Sequence, residues 1–404
     1  MIPDEWYYSS LTPIYKGIGN KYDTNNYRGI AVQSCITKCY CKILNYRLTT
    51  YLDSNDLLCE EQGGFRKNRS CQDQIFSLFS IIENRKSRKK DTFACFVDFK
   101  KAFDSIPREK LWSKLNNIGI NGLFLSSIRR LYSNTQYAVC TENGTTDWFQ
   151  VNTGVKQGCV LSPTLFNIYI NDLPVSLREV NAPISFGNIK IDALLYADDL
   201  VIIADSPRIL QNKLNSLTSY CNLWNLSINP DKTKTVHFRN NRKPLDSKIF
   251  KCCNAYITYT DKYKYLGVIF TEHLSLKATI EATSISASRA ASLLICKSRT
   301  SGNFNYNVYS KIYESLILPV INYSSFLWGF KSYDQVNKIQ FKLIRNFLGL
   351  NRNVPLDALI GEMGWKPISC LTKITCIKFW KRLHTLHNNR ITKAVFIEAC
   401  RLAE

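Results

Sequence analysis

The chain has 404 residues, 45% hydrophobic and 12% aromatic, enough for a large core divided over two or three units and too apolar for extended disorder. Its formal net charge of +21 favours a polyanionic partner, a demand that nucleic-acid, ribosomal and membrane-surface proteins share. Apolar runs are too short to span a bilayer and no signal-peptide pattern stands at the amino terminus. The 15 cysteines are scattered without zinc-finger spacing, and His384 and His387 have no cysteine pair at the right distance. These features point to a reduced chain inside the cell, in cytoplasm or nucleus, without structural zinc or membrane contact.

In chain order, Ser70 and Asp73 stand at capping-box spacing, followed by Ile75, Leu78, Phe79 and Ile82 at helical intervals and a basic run at 85–90. Residues 93–97 form an apolar strand that ends in Asp98. Asp104 is expected beyond the turn in a structural role, capping the next helix. Pro107 opens that helix, with Leu111, Trp112, Leu115 and Ile118 on one face. Two strands flank a turn at Glu142-Asn143-Gly144, the second running toward Gly154. Ser162-Pro163 is expected to cap a helix carrying Leu165, Phe166, Ile168 and Tyr169. The apolar runs around Tyr196-Ala197-Asp198-Asp199 read as a buried hairpin with two carboxylates at its turn. Ser206-Pro207 caps a further helix with Leu210, Leu214, Leu217 and Cys221. This order predicts an α+β fold, an antiparallel sheet backed by helices on one face with the acids and their ligand on the other. Helices are then expected over 280–296, 308–327, 334–348 and 371–387. Residues 271–404 hold 18 Lys and Arg against 8 Asp and Glu, a net +10 of the +21. Lys338, Lys342, Arg345, Lys378, Lys381 and Arg382 are among these cations.

An Asp-Asp pair alone is ordinary turn chemistry. Here two core strands, each ending in an acid, can place Asp98, Asp198 and Asp199 around one point. Such carboxylates repel one another unless a cation lies among them, and hard oxygen ligands select magnesium.

These residues carry a resemblance. The Asp98 segment resembles the first palm motif of reverse transcriptases, Tyr196 to Asp199 their Tyr-x-Asp-Asp hairpin, and Gly154-Val155-Lys156-Gln157-Gly158-Cys159-Val160-Leu161-Ser162-Pro163 the motif between them. Asn26-Tyr27-Arg28-Gly29-Ile30 and Gln62-Gly63-Gly64-Phe65-Arg66 resemble fingers motifs; Leu226 through Lys234 and Tyr265-Leu266-Gly267 resemble the last palm motifs. The matches are collinear over roughly residues 8–270, and their wording resembles the non-LTR retrotransposon branch. Softer matches to segments that follow the polymerase domain of that branch lie at 318–323 and 361–367.

The resemblance implies a right-hand polymerase, with fingers and palm over 1–270 and an all-helical thumb and extension over 271–404. It implies RNA-directed DNA synthesis on an RNA template from a DNA primer and deoxynucleoside triphosphates, the encoding element's own RNA being one candidate template. Two Mg2+ ions, with Mn2+ as a substitute, are expected on Asp98, the Phe99 carbonyl, Asp198 and Asp199. Asp98 and Asp198 are expected to bridge the metals, with Asp199 expected to support the site. Phe103 is expected under the nucleotide sugar, Gln157 and Gly158 against template base and nucleotide, and Lys16 and Arg28 on the triphosphate. Lys232 is the candidate for protonating pyrophosphate, with Lys234 two residues away as its rival, and Tyr265, Leu266 and Gly267 are the candidate primer grip. The alternatives are a group II intron-type maturase and an inactive, truncated or domesticated copy that binds nucleic acid. The fingers motifs begin almost at once, so the chain is expected either to be part of a longer element or to carry no upstream endonuclease.

Overall fold

Tyr8–Tyr15 (β1) and Tyr27–Val32 (β2) form an antiparallel pair, and the Ser34 hydroxyl caps helix α1 (Cys35–Ser54). The computed structural model describes residues 2–17, 19–240, 243–351 and 353–402. At the start of α2 (Cys71–Ser87) the capping box is complete: Ser70 Oγ accepts from the Asp73 N–H, and the Asp73 carboxylate accepts from the Ser70 N–H. Strand β3 (Thr92–Val97) is buried along its whole length. Helix α3 (Arg108–Asn117) starts after Pro107, but Pro107 itself holds the cap position and Asp104 caps nothing. Helix α4 (Gly122–Tyr132) follows; it opens on a glycine, a poor helix former, and the sequence pattern did not reveal it.

The turn at 142–143 is present, between β4 (Gln136–Thr141) and β5 (Gly144–Thr145), with β6 (Phe149–Gln150) also on β4. These strands do not join the acid-bearing sheet. β4 pairs in parallel with β1, giving a separate sheet of order β2-β1-β4-β5. Helix α5 (Ser162–Tyr169) departs from expectation at its cap: Leu161 holds the cap position, and Ser162 Oγ donates instead to the Lys156 carbonyl (2.7 Å). Then come α6 (Leu173–Arg178), the short hairpin β7 (Ile184–Phe186) and β8 (Ile189–Ile191), and the acidic hairpin β9 (Ala193–Tyr196) and β10 (Asp199–Ala204). Helix α7 (Pro207–Trp224) is capped by Ser206 and stopped by Asn225 in the left-handed conformation. Strands β11 (Lys234–Phe238), β12 (Phe250–Cys252) and β13 (Ala255–Tyr259) and the hairpin β14 (Lys262–Tyr265) and β15 (Val268–Thr271) complete this part.

The central sheet has the order β12-β13-β11-β3-β10-β9, antiparallel except for β11 with β13. Alternation along β3 sends Phe93, Cys95 and Val97 into one core with Trp112, Leu165 and Leu214. Ala94 and Phe96 enter a second core with Ile75, Leu78, Phe270 and Phe396. Both faces are therefore covered. The acids lie at the strand ends, not on an open face as the element order suggested.

The remainder is helical, as expected: α8 (Lys277–Thr300), α9 (Tyr306–Ile312), α10 (Leu318–Asn322), α11 (Ser325–Trp328), α12 (Asp334–Leu348), α13 (Leu356–Met363), α14 (Ile368–Thr385) and α15 (Ile391–Arg401). The expected 308–327 helix is broken by a π turn at Tyr313–Ile317, just before Pro319, which has no N–H to continue the ladder. Trp365 stacks on Tyr313 (3.9 Å between centroids) in a third core. The last two helices fold back on the first part of the chain. Phe379, Leu383, Val395 and Phe396 enter the second core, and Arg382 and Arg390 pair with Asp73, which is 2% exposed. No helix among the described residues is long and apolar enough to cross a membrane.

Candidate active site

Asp98 follows the last residue of β3, and its backbone is held on both sides. Its N–H donates to the buried Thr233 Oγ1 (3.2 Å), and its carbonyl accepts from the Asn229 N–H (2.7 Å). Phe99 is buried and bridges to Ile228, while the Lys100 N–H donates to the Ser227 carbonyl (2.7 Å). The 226–234 motif thus lies along the Asp98 turn. β10 pairs with β3 through Leu200 opposite Val97, so one further step in that register sets Asp199 beside Asp98. Tyr196 pairs with Asp199 across the hairpin, leaving Ala197 and Asp198 as a two-residue turn with φ +56° at Ala197.

The field of Asp98 reaches Asp198, and the fields of both reach Asp199. Desolvation raises Asp198 above the ordinary carboxylate range and Asp98 adds to the rise, while its own backbone N–H and the Arg28 guanidinium oppose it. Asp199, at the solvent-exposed rim, is pushed up to about 6 by desolvation first, then by Asp198 and Asp98. Lys232 Nζ lies 3.8 Å from Asp98 Oδ2, an open pair worth ~0–1 kcal/mol. Lys234 turns away to Thr258 Oγ1 (2.9 Å). Among the described residues no three His, Cys, Asp or Glu side chains are drawn together closely enough to form a finished metal site. The donor chemistry fits a hard divalent cation all the same: carboxylate beside carboxylate, with the proton affinities of Asp198 and Asp199 raised.

Phe103, Gln157 and Gly158 meet at the junction of β2 with the turn after β3. The Phe103 ring is half-buried and stacked on Phe166 (4.6 Å), and its carbonyl accepts from the Val155 N–H (2.8 Å). The Gln157 carbonyl accepts from the Ala31 N–H of β2 (2.7 Å). Its side-chain amide donates to both Asp104 carboxylate oxygens (3.2 Å each), so Asp104 holds Gln157 instead of capping a helix. Gly158, at φ +104°, packs so tightly on β2 that a Cβ would stand 3.0 Å from the Ala31 carbonyl. Arg28 is exposed on β2, and the exposed Lys16 Nζ donates to the Asn25 carbonyl (2.7 Å) in its own hairpin loop. The field of Lys16 reaches Asp104.

Leu266 and Gly267 form the β14–β15 turn, both at positive φ. Tyr265 is buried beside Phe96, and its hydroxyl is pushed well above its usual value by desolvation, then by Asp199. Two tyrosines missed from the sequence belong here. Tyr263 stacks on Phe96 (4.3 Å) and rises to about 12 through burial, then Asp199 and Asp98. Tyr323, from the helical part, donates to the Leu266 carbonyl (2.9 Å) and rests against Gly267. The alternation Lys262-Tyr263-Lys264-Tyr265 was a usable signal for the first; nothing local marked the second.

Residues 61–64 are a further element under the hairpin. They run parallel to β9, with Leu195 N–H donating to Glu61 (3.0 Å) and Gly63 N–H donating to Leu195 (2.8 Å).

Residues 18–270 match the family model of reverse transcriptase (RNA-dependent DNA polymerase). The chain is 23% identical to the RNA-directed DNA polymerase from mobile element jockey of Drosophila funebris, over 98% of this chain and 43% of that protein. It is 28% identical to the Pol polyprotein of retrotransposable element R2DM of Drosophila melanogaster, over 61% and 24%. The chain thus spans less than half the length of these relatives. Among solved structures, telomerase from Candida albicans, in complex with a fragment of telomeric RNA, shares the fold at TM-score 0.50 and 13% identity, over 98% of this chain and 60% of that one. By its motifs, its fold and the extent of these matches, this chain belongs to the reverse transcriptase family.

Proposed function

We propose that this chain is the RNA-directed DNA polymerase of a non-LTR retrotransposon, working inside the cell on an RNA template, a DNA primer and deoxynucleoside triphosphates. One observation carries the reading: Asp98, Asp198 and Asp199 stand together at two strand ends, where Asp98 raises the proton affinity of Asp198 and both raise that of Asp199, within the segment that matches the family. The reaction is in-line attack of the primer 3′-oxygen on the α-phosphate, with pyrophosphate leaving. Asp98, Asp198, Asp199 and the Phe99 carbonyl would hold two Mg2+ ions, which when bound stabilise the attacking and leaving oxygens.

The other side chains bind and orient. Phe103, fixed by Phe166, excludes a 2′-hydroxyl. Gln157, fixed by Asp104, and Gly158 border template and nucleotide. Arg28 and Lys16 attract the triphosphate, and Lys232 delivers a proton to pyrophosphate. The Tyr265-Leu266-Gly267 turn, braced by Tyr323, supports the primer end. Residues 1–270 serve as fingers and palm, and the basic 271–404 as thumb and extension gripping the duplex. Primer extension on an RNA template, wild type beside Asp198→Asn, tests the reading. Extension by the wild type alone supports it; equal extension by both would remove the acids from the chemistry.

A further inference from the structure

The residue before Asp198 is the most constrained point of the hairpin. Ala197 is buried and adopts φ +56°, a conformation that favours glycine. As the first of two turn residues, it lies outside the strand ladder, so its N–H and carbonyl must find partners elsewhere. Gln62, 1% exposed, supplies both. Its Oε1 accepts from the Ala197 N–H (2.8 Å) and its Nε2 donates to the Ala197 carbonyl (3.2 Å). The same Oε1 accepts from the Gly64 N–H (2.7 Å), which fixes the amide's own orientation. Gly64 passes so close that a Cβ there would stand 2.2 Å from the Ala197 nitrogen. Asn167 donates to the Gly64 carbonyl (2.8 Å) and secures the loop from below.

From this geometry we infer that Gln62 is a positioning residue for the acid cluster. Its primary amide grips both polar groups of the Ala197 peptide segment and thereby sets the height and tilt of Asp198 relative to Asp98. Only a primary amide of this length can donate and accept here at once. Glutamate retains the two accepted bonds and loses the donated one; methionine fills the volume and loses all three. The inference rests on the reading of Asp98, Asp198 and Asp199 as the acids of the reaction. It adds that their geometry is imposed by a side chain from the 61–64 segment that borders β9.

The test compares Gln62→Met and Gln62→Glu with wild type and Asp198→Asn. The readouts are thermal melting, the kcat and KM of primer extension against Mg2+ concentration, and Tb3+ luminescence of the nucleic-acid-free protein with Mg2+ as competitor. Nearby Tyr196 and Tyr263 sensitise the Tb3+ signal. Gln62→Met should lower kcat by about tenfold to a hundredfold, as loss of a ligand-orienting group does. It should leave the nucleotide KM near wild type and weaken Mg2+ competition by about the same factor; Gln62→Glu should fall between. Gln62→Glu, with two of three bonds kept, carries the test if the methionine variant does not fold. Unchanged Mg2+ competition and unchanged kcat in a folded variant would overturn the inference, as would losses that follow melting temperature alone. Full activity and Mg2+ binding in Asp198→Asn would instead overturn the underlying assignment of the acids.

Discussion

The central sheet carries acids at both ends of the same strands, and the two ends treat them oppositely. At one end Asp91 precedes β3 and is paired with Lys243, while Asp205 follows β10 within the field of two cations. Asp91 lies 3.0 Å from Lys243 and 3.5 Å from the buried His237, and Asp205 acts on Arg85 and Lys213. At the other end Asp98, Asp198 and Asp199 face one another, and the bases within reach, Lys232 and Arg28, are both exposed. A folded chain normally pairs the charges it collects. The end where pairing is weaker and more exposed is the end where the matched motifs converge, the division our proposal draws between acids of stability and acids of chemistry.

That contrast can be broken most forcefully by mutation at each end. Asp98→Asn or Asp198→Asn should lower primer extension by more than about a hundredfold, beyond the usual loss from an outer-shell change, with melting temperature held or raised because repulsion is relieved. Asp91→Asn should leave extension near wild type and lower the melting temperature. Comparable extension rates for the variants of the two ends would erase the distinction.

Asp73 marks the extreme of the balanced class, buried and gripped by Arg382 and Arg390. Asp73→Ala should cost about 3 kcal/mol in denaturant unfolding, because it takes the partner from Arg382, one of two carboxylate partners from Arg390, and the capping-box bond from Ser70. The same contact bears on truncation after residue 270. Such a chain loses both arginines and the Phe326, Phe379, Leu383, Val395 and Phe396 side chains of the second core, so it should fail to fold rather than merely release its template early. Phe103→Val should cost about 1 kcal/mol of stability through the lost stack on Phe166. It should also relax discrimination against ribonucleotides by about tenfold or more in competition assays.

Asp91→Asn itself should cost about 1 kcal/mol in unfolding experiments, since Lys243 is half-exposed. The last effect concerns a buried base. Lys156, 2% exposed, donates to the Trp6 carbonyl (3.3 Å) and is pushed down to about 8 by desolvation. Below that pH the charged form carries its full burial cost. Between about 8 and the ordinary 10.5 the folded protein sheds the proton while the unfolded chain keeps it, so stability should rise relative to Lys156→Met. Parallel unfolding curves for the two proteins across that range would contradict this.

The acid cluster was legible in the sequence because each acid ends an apolar run, a strictly local pattern. The capping box at Ser70 and the helix at Ser206 were legible for the same reason. What escaped depends on partners far along the chain. Gln62 reaches Ala197 across 135 residues, Tyr323 reaches Leu266 across 57, and Arg382 reaches Asp73 across 309. The pairing of β4 with β1 escaped because register between distant strands leaves no trace in either strand alone. Asp104 was misread because a carboxylate before a helix looks like a cap, and only the fold shows that Gln157 claims it first.

The central claim is that the unbalanced end of the sheet binds divalent metal and the balanced end does not. Electron paramagnetic resonance of added Mn2+, titrated into the nucleic-acid-free protein, tests it directly. Binding should be present in wild type, unchanged in Asp91→Asn, lost or sharply weakened in Asp198→Asn, and reversed by excess Mg2+. Binding that survives Asp198→Asn, or that disappears in Asp91→Asn, would contradict the account.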